Sequence, residues 1–125
     1  MATRRVGFFR ELKHGDPDGP ALAEAVRSEP GADERELVAY LRGGTVLVGA
    51  PGLADDALDP SRTQVSPFHI CTDGSWMWPL DLAYYVENYH VALPPEFVDW
   101  ARSQGWQPPQ PDRSDLLRLE EELLA

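Results

Sequence analysis

Pro67-Phe-His-Ile-Cys-Thr-Asp-Gly-Ser-Trp-Met-Trp-Pro79 is the stretch whose reading decides the fold. Two short apolar-aromatic runs, Pro67 to Cys71 and Ser75 to Trp78, flank Asp73-Gly74. Asp-Gly is a preferred two-residue type I′ turn, because both central positions need a positive φ. The stretch therefore predicts a β-hairpin with Cys71 opposite Trp76, Ile70 opposite Met77 and His69 opposite Trp78. Alternation along each strand puts His69, Cys71, Trp76 and Trp78 on one sheet face and Phe68, Ile70 and Met77 on the other. The second set is the more aliphatic and is expected to face the core. The first carries two indole N–H groups, an imidazole and a thiol, all of which a dry core must satisfy. It is expected to be a partly exposed cleft or a partner surface.

Downstream, Pro79 ends the second strand and opens a helix over Leu80 to Tyr89. Leu82, Tyr85, Val86 and Tyr89 recur at helical spacing and form its buried stripe, with the tyrosine hydroxyls reaching water at the edge. Tyr84 falls off that stripe beside Asp81 and is expected to be exposed. Pro94-Pro95 opens another helix, Glu96 to Ser103, with Phe97, Trp100 and Ala101 inward. Gln107 to Asp112 reads as a stiff, extended linker. Ser114 then caps a last helix, residues 114–125, with Leu116, Leu119 and Leu123 along one face. That helix either folds back onto the domain or lends its leucines to another chain.

Upstream, Val6 to Leu12 predicts a first strand with Phe8 and Phe9 on opposite faces. His14-Gly-Asp-Pro-Asp-Gly-Pro20 is a dense turn signal. Asp18 is the expected cap of a helix from Pro20 through Arg27, with Leu22 and Val26 inward. A second helix, Asp33 to Arg42, carries acidic residues in its first turn, an arginine in its last, and Leu37, Val38, Tyr40 and Leu41 as its apolar face. Gly43-Gly44 stops it. Thr45 to Ala50 is a short strand, and Pro51 to Gln64 an exposed loop. The order β-α-α-β, hairpin, α, α predicts an α+β domain (residues 1–106), a linker (107–113) and a C-terminal amphipathic helix. Its sheet is small and mainly antiparallel, centred on the Asp-Gly hairpin and packed by about four helices.

The 125 residues carry a formal charge of −10, which argues against nucleic-acid phosphates and anionic lipid as partners. An acidic protein suits a basic partner, whose approach its field steers. The blander reading is ordinary solubility charge. Cys71 is the single cysteine, so no internal disulfide forms. The opening residues lack the apolar run of a signal peptide and no window matches a membrane span, which points to the cytoplasm.

No catalytic constellation emerges. His69 and Cys71, two apart on a strand, lie about 7 Å from each other at roughly 3.3 Å rise per residue, too far to pair. A metal site from His69, Cys71 and His90 has no supporting spacing. An EF-hand counted from Asp16 requires Gly at its sixth position and Glu at its twelfth, where Ala21 and Arg27 stand. No glycine-rich phosphate loop is present and no cofactor is expected. Carboxylates on helices are read as solvated charge. Tyr and Trp rimmed by carboxylates are instead the residues that anchor interfaces. Trp76, Trp78 and Tyr84, with Asp73, Asp81 and Glu87 as charged neighbours, are the candidate partner-binding set, and His69 and Cys71 a possible cleft.

Thr72-Asp-Gly-Ser-Trp-Met-Trp-Pro-Leu-Asp-Leu-Ala-Tyr-Tyr-Val86, continued by Tyr89-His-Val-Ala-Leu-Pro-Pro-Glu-Phe97, resembles a block found in small proteins of GC-rich bacteria. There a TDG-x-W-x-WP hairpin precedes a DL-x-YYV helix and an LP-x-EF helix start. Some of those proteins resemble immunity proteins that neutralise toxins of interbacterial competition. The resemblance covers about residues 68–100 and implies a non-enzymatic binding protein; together with the acidic charge, the expected partner is a basic toxin domain. The alternative is a small-molecule-binding or regulatory domain whose aromatic cleft holds an apolar or cationic ligand.

Overall fold

A computed structural model describes residues 3–124. Ala125, expected to close the last helix, lies outside the described residues. In chain order the elements are β1 (Arg4–Arg5), α1 (Leu22–Ala25), α2 (Glu34–Arg42), β2 (Thr45–Val48), β3 (Ile70–Thr72), β4 (Trp76–Pro79), α3 (Leu82–Tyr89), α4 (Pro95–Ser103) and α5 (Arg113–Leu124). The strands form one sheet in the order β1-β4-β3-β2. β2, β3 and β4 are antiparallel neighbours, and β1 joins β4 in parallel. The expected α+β class with a mainly antiparallel sheet is what folds.

The hairpin is present, with its register two residues wider than a two-residue turn allows. Cys71 pairs with Trp78 and Thr72 with Met77. Asp73 causes the difference. Its carboxylate Oδ1 accepts the backbone N–H of both Ser75 and Trp76 at 2.8 Å. Thr72 Oγ1 donates to the Trp76 carbonyl and accepts from the Gly74 N–H. These side-chain bonds close a longer loop in which Gly74, at φ +98°, supplies the only left-handed turn residue. A slip of two preserves side-chain parity, so Cys71, Trp76 and Trp78 still share a face.

Both faces of the sheet are covered, and the larger core lies on the face expected to be open. Cys71, Trp76 and Trp78 pack there with Tyr40 and Leu41 of α2, Tyr85 and Val86 of α3 and Phe97 of α4. Phe97 presents its ring edge-on to Trp76, at 5.1 Å between centroids, and to Trp78, at 5.8 Å. Ile70 and Met77 occupy the opposite face beneath Leu119 of α5, with Leu123, Phe8 and Leu47 at its margin. The last helix thus folds back in cis. Its N-cap is Asp112, whose carboxylate takes the Asp115 N–H, and not Ser114.

The α2 stripe is buried as its spacing predicts. The amino-terminal segment departs furthest from expectation. Only Arg4–Arg5 is strand, because Gly7 adopts φ +77° at a point where a Cβ would fall 2.2 Å from Leu82 Cδ2. Phe8 and Phe9 nonetheless diverge to opposite cores. α1 is a single turn, capped from a distance by the Glu11 carboxylate accepting the Leu22 N–H, and not by Asp18. It stops at Ala25, where the chain turns extended and bonds to the end of α3 and the segment beyond, with Arg27 N–H donating to the Tyr89 carbonyl and Ala92 N–H to the Ala25 carbonyl. Val26 is consequently exposed, not inward. No helix among the described residues is long and apolar enough to cross a membrane.

Candidate functional site

The fold brings the polar tips of the aromatic residues onto buried aspartates. Trp78 is fully buried, and its Nε1–H donates to the Leu41 carbonyl at 2.9 Å. Asp73 receives the Tyr40 hydroxyl and the Trp100 Nε1–H on Oδ2, in addition to the two turn amides on Oδ1. Burial and the adjoining Asp73 carboxylate push the Tyr40 hydroxyl pKa far above its ordinary value. Trp76 is buried beneath the Arg4 guanidinium, which stacks 4.3 Å above its ring and pairs with Glu96.

A second hub lies in the segment read as an open loop. Asp56 is 3% exposed. Its Oδ1 accepts the Leu58 and Asp59 N–H groups, and its Oδ2 accepts the Tyr84 and Tyr89 hydroxyls at 2.7 and 2.6 Å. Burial pulls its pKa upward, but these four donors outweigh burial and hold it below the usual carboxylate range. The Tyr85 hydroxyl takes the Ala57 N–H and donates to the Asp55 carbonyl. Burial pushes its pKa up to about 12. The loop therefore lies over α3, buries Tyr84 and satisfies the three tyrosine hydroxyls that the sequence leaves to water.

The candidate partner-binding set is thus not a surface. Trp76, Trp78, Tyr84, Asp73 and Asp81 are buried, and only Glu87 is exposed, where it pairs with Arg42 at 3.1 Å. Arg42 holds the Glu87 carboxyl below its ordinary pKa. His69 and Cys71 do not meet in a cleft. His69 Nδ1 accepts the Ala50 N–H at 2.9 Å, while burial pushes the Cys71 thiol up to about 11 and removes it from thiolate chemistry. Among the described residues, no three His, Cys, Asp or Glu side chains converge to hold a metal ion.

Several concave sites indent the described residues, and two of them bear on binding. One, of about 580 Å³, is a mainly apolar cleft between Arg5–Phe9, the turn leading into α1 and the Ala92–Pro94 segment. Phe8, Pro20, Leu93 and Pro94 line it, and the carboxylates of Asp16 and Glu24 and the guanidinium of Arg5 stand exposed around it. The other, of about 330 Å³, lies between the Glu11–Lys13 turn and the Asp56 loop, with Asp81 and Tyr85 at its base. Asp81 is 2% exposed, and no donor reaches its Oδ1. Burial pushes its pKa up to about 6. A buried acceptor without a donor costs about 1–3 kcal/mol.

Neither cleft was visible from the sequence, since each is assembled from segments far apart in the chain. One local signal for the Asp56 hub does exist. An aspartate followed by free amides two and three residues on, as in Asp56-Ala-Leu-Asp59, is an Asx-turn pattern that fixes a loop. Compared with known family models, curated proteins and solved structures, the chain matches none of them.

Proposed function

We propose that this chain is a non-enzymatic binding domain of immunity type that engages and blocks a basic protein partner in the cytoplasm. The observation carrying this reading is the apolar cleft bordered by Asp16 and Glu24. An apolar floor with a carboxylate rim suits a segment that presents an apolar side chain flanked by lysine or arginine. The formal charge of −10 supports the same partner class. Six of the ten arginines are engaged in ion pairs with the chain's own carboxylates, which leaves the acidic excess to set the field. The resemblance of residues 68–100 to immunity-like proteins points the same way. The aromatic residues enter as scaffold and no longer as grip.

The test asks whether a gene beside this one encodes a basic domain that, once purified, binds this chain. Its association rate should fall severalfold when salt rises from 50 to 300 mM (about a twofold shorter Debye length) and again in the Asp16→Arg, Glu24→Arg double variant. An association rate indifferent to both changes refutes the acidic cleft as the interface. A second reading, a small apolar or cationic ligand in the same cleft, is favoured by its volume, which falls within the range of small-molecule sites. A compound that raises the melting temperature of the wild type, and not of a Leu93→Glu variant, supports that reading.

A further inference from the structure

The second cleft contains a carboxylate that the fold buries and does not use. Its other carboxylates and its tyrosine hydroxyl are engaged. Asp56 has four donors, the Tyr85 hydroxyl has the Ala57 N–H and the Asp55 carbonyl, the Glu11 carboxylate caps α1, and Asp55 Oδ1 takes the Gln64 N–H. Asp81 Oδ1 alone has no donor. Buried polar atoms in folded proteins are satisfied as a rule, and an exception at the base of a cleft marks a place for a ligand donor.

We propose that the Asp81 cleft binds an organic cation, a primary ammonium or a guanidinium, whose N–H groups bond the Asp81 carboxylate. Three observations select that chemistry. The cleft is lined by the carboxylate residues Glu11, Asp55, Asp56 and Asp81 against one cation, Lys13, so its potential favours positive charge. No three metal-ligating side chains converge among the described residues, which disfavours a divalent ion, whereas one ammonium or guanidinium needs only a carboxylate and a negative surround. The volume of about 330 Å³ matches one head group with a short alkyl stem. The cation comes either from a free amine or from a lysine or arginine side chain of another protein. The site is separate from the apolar cleft and stands whether or not that cleft binds a basic partner.

The groups that face Asp81 across this cleft are Glu11, Lys13, Asp55, Asp56 and Tyr85. A cation seated among them stabilises the ionised form of Asp81 and lowers the pKa that burial raises to about 6. The Asp81 carboxyl carbon signal, followed by NMR from pH 4 to 8, reads this directly. Butylamine and agmatine represent the free source, a blocked peptide with one central arginine represents the protein source, and pentanol is the neutral control. The proposal expects at least one cationic probe to lower the midpoint by one unit or more while pentanol leaves it unmoved. The tighter binder among amine and peptide identifies the source. An Asp81→Asn variant should lose the binding at least tenfold, with its fold verified by the amide spectrum. No movement with any cationic probe overturns the proposal, as does equal binding by the variant. A Lys13→Ala variant whose Asp81 midpoint rises without ligand overturns it too, because the chain's own lysine is then the occupant.

Discussion

Replacing Asp81 by Asn should stabilise the protein at neutral pH and leave it nearly unchanged at pH 4. Asp81 is buried, and its folded pKa stands at about 6 against an ordinary value of 3.8. The folded state therefore holds a proton that the unfolded chain releases between those values. Linkage fixes the sign: where the folded state binds more protons than the unfolded, stability falls as pH rises. The loss starts near pH 4 and is complete above pH 6. A shift of roughly two units at 1.36 kcal/mol per unit amounts to about 3 kcal/mol. Asn keeps the shape and cannot ionise, so the variant lacks this loss. Urea titrations followed by the fluorescence of the buried tryptophans, at half-unit steps from pH 4 to 8, give the difference in unfolding free energy. It should grow by about 2–3 kcal/mol in favour of the variant and then level off. The contribution of Asp56, which has the opposite sign, is common to both proteins and drops out of the difference. A difference that stays flat across the range, or that favours the wild type as pH rises, refutes the assignment of Asp81 as an unsatisfied buried carboxylate.

The Asp56 hub gives the contrary behaviour. Asp56→Ala leaves the Tyr84 and Tyr89 hydroxyls and two loop amides without their acceptor and should cost about 3 kcal/mol or more at pH 7, with faster amide exchange confined to residues 54–66 as the local signature. Because the folded pKa of Asp56 is depressed, this contribution is present above the unfolded carboxylate value, near 4, and is lost as pH falls through the lower folded value. Wild type and variant should therefore converge in acid. For α5, Leu119→Ala removes a fully buried side chain between the helix and Ile70 and Met77 and should cost about 2–5 kcal/mol. Deleting residues 113–125 should uncover that apolar face and produce self-association on size exclusion; a monomer of unchanged stability refutes the docking of α5 in cis.

The parts of the fold that read directly from the sequence are those whose determinants are local. The spacing of Leu37, Val38, Tyr40 and Leu41 and the positions of Pro79 and Pro94-Pro95 place α2, α3 and α4 within one or two residues. The parity of the hairpin survives even though its register slips, because side-chain direction depends only on odd or even position. The orientation of the sheet did not follow, and the reason is specific. Indole and phenol groups read as surface when their partners are unknown, and here the partners are remote: Trp78 uses the Leu41 carbonyl, 37 positions away, and Tyr84 uses Asp56, 28 positions away. A hydrogen bond across such a separation leaves no periodic trace. The same remoteness hid the Glu11 cap on α1 and both clefts.

Three of the chain's carboxylates, Asp56, Asp73 and Asp81, are buried, and their environments separate structure from opportunity. Asp56 and Asp73 each collect four donors and each holds a turn against helices: the 51–66 loop against α3, and the hairpin tip against α2 and α4. A carboxylate so surrounded is a tether. Asp81 differs on the one count that matters for recognition. It bears the desolvation cost of burial with no donor beyond its own backbone N–H to offset it, and it opens on a cleft lined mainly by carboxylates. A ligand cation that enters there gains the interaction the fold left unmade, at no cost in reorganising an existing network. Affinity at this site should therefore track the ionisation of Asp81, strengthening as pH rises through about 6 while the amine remains protonated. Binding that weakens over the same interval places the cation elsewhere.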